Sequence, residues 1–281
     1  MTKDDAQSYL DSLSKLSDDD IDLAKAAVAL SARAYPERHL QRYLVHIEKL
    51  YACVAKRYKE LLEAGAEDDL DTKIAALKHV IHDELGYDGD RESYDSLDNC
   101  NMLQVIDRRK GLPVAISILY IAAAQAQGWQ AEGLNFPAHF MIRLSEGAER
   151  RILDPFDHVK VLGAPDLRGL VKKFLGENAE LSADYYNPVS RRDVLVRLQN
   201  NLKLRLIEME AYDDALSVVQ QMRHVVPDEP RFFLDEGVLL ARLDQRQAAI
   251  KALEAYLASG LSPQERFEIE AFLMELRTTL H

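Results

Sequence analysis

Residues 113–127 place the strictest constraint on what this chain can fold into. The run PVAISILYIAAAQAQ is apolar nearly all round a helix rather than along one stripe, so a helix here has to be buried on every side. The nearly apolar stretch, residues 112–124, has thirteen residues, short of the roughly 20 needed to cross a bilayer, so its cover must be protein. Pro113 suits the first helical position, where its missing N–H had no partner anyway, and Gly128 closes the helix. Strand patterns follow at 131–136, 139–144 and 151–154, with a Glu-Gly-Ala-Glu turn between the last two. One buried helix beside a small antiparallel sheet gives an α+β core.

The order of reactive side chains around that helix is informative. Thiol-dependent acyl transfer needs a Cys at a helix start, a His to take its proton and a carboxylate to orient the His. His139 and Asp154 supply the last two, whereas the helix start holds Pro113, which can neither attack a carbonyl nor donate a proton. A hairpin with residue 144 opposite 149 puts His139 opposite Asp154, on one face with β-carbons roughly 5 Å apart. Asn135, Arg108 and Arg109 are candidate binding residues for the same cleft. Two substitute nucleophiles come into question. Ser117 is one turn beyond Pro113, but a mid-helix Ser in an apolar run usually bonds back to a carbonyl. Cys100 precedes the short helix before Pro113, and loop folding would have to bring it to His139.

Cys53 is read as core, on the apolar stripe of a long helix. His79, His82 and Asp83 have helical spacing suited to a metal, yet no further ligand is obvious, so they read as a solvated face. No metal or cofactor is expected: the sequence has no Gly-rich phosphate loop, no CxxC and no HExxH. Two cysteines build no disulfide framework, and the acidic N-terminus lacks a signal-like apolar segment, so a cytoplasmic location is expected. The net charge of −12 disfavours nucleic acid and anionic membranes as partners.

The flanking regions are helical. Before the core, Ser17 can cap a helix carrying Leu23, Ala26, Ala27 and Leu30. A long amphipathic helix runs from beyond Pro36 to Gly65, and a third from about Asp71 to Gly86. After the core, setting Ala215 over Ala249 reveals a repeat of thirty-four residues, with Gly237 at a close-packing position and Lys203 where a small residue would be expected. Ser262-Pro263-Gln264-Glu265 is a capping box opening a last helix. The expected organisation is a core domain with helical lead-in over 1–181, a connector at 182–189, and tetratricopeptide-like helices over 190–281.

Five segments carry a family resemblance: ARAYP (32–36), NMLQVIDRRKGLP (101–113), GLNFPAHF (133–140), ILDPF (152–156) and the repeat that follows. Together they resemble the bacterial SirB-type family, a papain/transglutaminase-like core followed by tetratricopeptide-like repeats. The resemblance implies that the superfamily's Cys, His and Asp fall at Pro113, His139 and Asp154, with the Cys lost. It also implies Gly before the His, where this chain has Ala138. The expected function is therefore a non-catalytic protein that binds a peptide or protein partner, a basic one being favoured by charge, in a regulatory or scaffolding role. The competing expectation is a hydrolase or acyltransferase using His139 and Asp154 with water, Ser117 or Cys100.

Overall fold

The computed structural model describes residues 2–278. The described residues form two compact units, one from 2–9 with 16–198, the other from 10–15 with 199–278.

Helix α1 (Lys3–Leu13) is divided between the units after Tyr9, and in the first unit α2 (Leu23–Ser31), α3 (Gln41–Glu63) and α4 (Leu70–Lys78) lead in. Asp22, not Ser17, caps α2 by accepting from Lys25 N–H at 3.0 Å. Ser17 instead donates to Asp20 in the 3-10 turn Asp18–Asp20. Along α3 the stripe Tyr43, Ile47, Leu50 and Val54 is buried. Cys53 is exposed, contrary to the sequence reading, because at 100° per residue it sits about a quarter turn off that stripe. Helix α4 runs on into a single π-helical turn, His79–Glu84, before Gly86 reverses the chain at φ 73°.

Strand β1 (Asp88–Gly89) pairs in parallel with β2 (Lys110–Gly111), and α5 (Met102–Arg108) lies between them in sequence. Asn101 caps α5 through Leu103 and Gln104 N–H, and its amide donates to Ser31 O, tying α5 to α2. Helix α6 (Pro113–Ala126) is buried at every residue from Pro113 to Ala124, as its composition required. It packs against α2, α3 and the sheet.

The sheet runs in the order β6 (Lys160–Leu162), β5 (Glu149–Asp154), β4 (Ile142–Glu146), β3 (Gln130–Leu134), β7 (Pro188–Val189), and all its pairings are antiparallel. The β4–β5 register differs from the expected one by two residues. Leu144 faces Arg151, because the turn is only Gly147–Ala148 between the paired Glu146 and Glu149, with Gly147 at φ 55°. Helix α7 (Ala164–Leu175) follows β6, and the segment expected to be a connector supplies β7 at the sheet edge. The division between the two compact units falls after Leu198, within helix α8 (Arg191–Glu208). Asp18 accepts from the N–H groups of Arg191 and Arg192 at 2.8 and 3.1 Å, so a carboxylate holds the positive end of that helix.

The second unit contains α9 (Tyr212–Val225), α10 (Pro230–Arg242), α11 (Arg246–Leu257) and α12 (Pro263–Thr278), packed in sequence order as helical hairpins. A β-carbon on Gly237 would lie 2.6 Å from Leu253 Cγ, which explains the small residue. Lys203 is buried and paired with Asp235, so a charged residue is accommodated where the repeat wanted a small one. The capping box forms as read, Ser262 and Glu265 bonding reciprocally at 2.9 and 3.3 Å.

Candidate functional site

The GLNFPAHF segment leaves β3 at Leu134, turns through residues 135–141 and enters β4. His139 therefore stands in the turn, not in a strand as expected. Ala138 before it adopts φ 57°, the left-handed region that costs an L-residue about 1–2 kcal/mol. Asp154 ends β5 and is buried. His139 Nε2 lies 2.8 Å from Asp154 Oδ2, so the pairing anticipated from sequence forms although the register assumed for it was wrong. The turn carries the imidazole back to the strand end, which a straight two-strand register could not have shown. Asp154 Oδ1 accepts from Phe156 N–H at 3.1 Å, fixing the carboxylate at its other oxygen.

With Nε2–H donated to the carboxylate, Nδ1 is the lone-pair nitrogen. Among the described residues no hydroxyl or thiol hydrogen-bonds the ring. Its neighbours are aromatic: Phe174 stacks on it at 6.0 Å between centroids and 14° between planes, and Phe156 meets it edge-on at 6.2 Å. Tyr94 in turn packs edge-on against Phe156, and Tyr94, Phe174 and Leu175 are all markedly exposed. Arg197 of α8 donates to the carbonyls of Phe136 and His139 at 3.3 and 2.8 Å and covers the Phe140 ring, clamping the turn. Burial lowers the pKa of its guanidinium from the usual Arg value.

Phe174 and Arg197 were invisible in the sequence reading, because nothing in a Lys-Lys-Phe-Leu helix end or an Arg 58 residues downstream announces its target. Phe156 was visible only as part of the LDPF segment.

The other candidates separate clearly. Pro113 is buried at the first position of α6. Ser117 is fully buried and its Oγ makes no hydrogen bond, so the expected bond back to a carbonyl is not formed. Cys100 is buried in the 3-10 turn Leu97–Cys100. Asn135 is exposed, its N–H bound to Asn187 O at 3.0 Å. Arg108 pairs with the buried Asp90 at 2.7 Å and with Asn99 at 3.0 Å. Arg109, at φ 61°, donates to Tyr87, His46 and Ile106 O. Burial, with Arg109 adding to it, pushes the His46 pKa down. Both arginines thus serve internal networks. A cavity of about 250 Å³ opens elsewhere, lined by Asp18, Ile121, Gln125, Gly133, Ser190 and Arg191, and its lining contains neither His139 nor Asp154. Among the described residues no helix is long and apolar enough to cross a membrane.

A buried helix, an antiparallel sheet bearing a His–Asp pair, and helical hairpins after it define a transglutaminase-like domain followed by tetratricopeptide repeats. The transglutaminase-like superfamily matches residues 41–200, and the tetratricopeptide repeat matches 202–274. A UPF0162 protein of Vibrio cholerae is 30% identical over 247 residues, covering 86% of this chain and 88% of that protein. Another from Xylella fastidiosa is 28% identical over 250 residues, covering 87% and 86%. The chain belongs to this SirB-type, UPF0162 family of the transglutaminase-like superfamily. It is also similar to human F-box only protein 21, 29% identical over 198 residues, which are 68% of this chain and 29% of that protein.

Proposed function

We propose that this protein is a non-catalytic transglutaminase-like protein that binds a peptide or protein segment at the face around His139. The observation that carries the reading is an oriented His–Asp pair whose ring is stacked on exposed Phe174 and met edge-on by Phe156, with no hydroxyl or thiol among the described residues bonded to it. An imidazole acceptor flanked by Phe174, Phe156 and Tyr94 suits a backbone N–H together with an apolar side chain of an incoming segment. Asn135, exposed on the same turn, adds a polar contact. Tetratricopeptide repeats point to protein partners as well, since stacked helical hairpins present extended surfaces. The −12 charge favours faster encounter with a basic partner.

A peptide-display selection against the intact chain tests this. Selected peptides are expected to bind the Asn135→Ala/His139→Ala variant at least about tenfold more weakly. Equal binding by the two proteins would exclude this face. A chromogenic ester and amide screen tests the other half, and turnover abolished by His139→Ala would overturn the non-catalytic reading.

A further inference from the structure

Three side chains from separate segments converge: His82, Asp88 and His158. One ligating atom from each falls within 4.8 Å of the others. Two of them stand on unusual pieces of backbone. His82 belongs to the π-helical turn after α4, an irregularity found often at functional sites. Asp88 opens β1. His158 and Val159 are two consecutive non-glycine residues in the left-handed region, at φ 52° and 59°, in the loop between β5 and β6.

The donor atoms are also prepared. His82 Nδ1 is 3.1 Å from Tyr87 O, so Nδ1–H donates to that carbonyl and leaves the lone pair on Nε2. A backbone acceptor on the second ring nitrogen is the usual way a metal-binding imidazole is oriented. Asp88 Oδ2 faces Arg91 and Lys110 at 3.4 and 3.7 Å, which turns Oδ1 the other way. That Oδ1 is shielded from solvent and accepts no hydrogen bond, and His158 Nδ1 lies 3.6 Å from it. A buried carboxylate oxygen without a donor is costly unless something satisfies it. Of the two cations on the far oxygen, Arg91 is also paired with Asp157 at 3.0 Å, and Asp83 stands 4.0 Å from His82 Nε2.

We propose that His82, Asp88 and His158 bind a divalent transition ion of the zinc type. Two imidazoles and one carboxylate match its preference for nitrogen and oxygen donors, and three protein ligands leave one position for water or a further ligand. Ligands about 2.0–2.1 Å from a tetrahedral ion stand about 3.4 Å apart. The Asp88–His158 edge is already near that value, and no edge has to close by more than about 1.4 Å. A bound ion would tie the π-turn and β1 to the loop that follows Asp154, and so stiffen the support of His139.

Zinc chloride titrated calorimetrically into the tag-free full chain tests this. One equivalent is expected to bind, with affinity falling by on the order of tenfold or more in His158→Asn and in His82→Ala. Asn tolerates the left-handed conformation at 158, so that variant keeps the loop, and thermal melts report folding of both. Cys53→Ser, an exposed thiol on α3, is expected to bind zinc like the parent. Failure to bind, or undiminished binding in folded His158→Asn, would overturn the assignment.

Discussion

Replacing Ala138 with glycine should stabilise this protein, and the size of the gain follows from the turn that presents His139. At φ 57° the Ala138 β-carbon crowds the following carbonyl, costing about 1–2 kcal/mol that glycine does not incur. Against this, glycine gives the unfolded chain more freedom, which takes back about 0.4–1 kcal/mol. The net expectation is a gain of about 0.5–1 kcal/mol, or roughly 1–4 °C in Tm for a domain of this size. No side-chain contact complicates the comparison, since Ala138 is exposed and its neighbour His139 keeps both Asp154 and the Arg197 clamp. Urea denaturation followed by circular dichroism measures the change in the transition of the first unit. Ala138→Val serves as the opposite arm, because a β-branched residue in this region is a true outlier and should cost more than alanine does. If Ala138→Gly is neutral or destabilising while Ala138→Val is tolerated, the left-handed turn and the account of His139 built on it are wrong.

Gly133→Ala should destabilise by about 1–3 kcal/mol, because its β-carbon would fall 2.5 Å from Phe140 Cζ and 3.0 Å from Val189 Cγ2; the urea midpoint measures it. Gly237→Ala should cost a similar amount through Leu253, seen as a lower melting temperature of the second unit. Burial raises the Asp90 pKa, but the Ser93 N–H, Arg108 and Asn99 outweigh it and hold the carboxyl below the ordinary carboxylate range. Its folded-state pKa is therefore below the unfolded one, so its stabilisation is full above about pH 5 and is lost as pH falls through the folded value. Unfolding free energies measured from pH 6 down to pH 3 should fall less steeply in Asp90→Asn than in the parent. Arg197→Met should loosen the 136–139 turn, and faster amide hydrogen exchange at residues 137–140 would report it; unchanged exchange would show that Arg197 is no clamp.

The amino-acid sequence by itself determined the elements whose cause is local. An all-apolar run opened by Pro113 can only be a buried helix, and Ser262 with Glu265 caps its helix through neighbours three residues apart. The thirty-four-residue period placed Gly237 where two helices touch. The His139–Asp154 pair was legible too, since both residues flank one hairpin, although the length of its turn was not. Tertiary structure alone decided the rest. Whether Arg108 serves a ligand or a buried aspartate depends on where Asp90 lands. Whether Cys53 is core depends on the angle at which α3 is covered, and the stacking of Phe174 on His139 depends on how α7 returns to the sheet. The physical reason is range: helix period, caps and turns act over a few residues, whereas pairing, burial and the meeting of His82, Asp88 and His158 are set by packing between segments the chain order does not make neighbours.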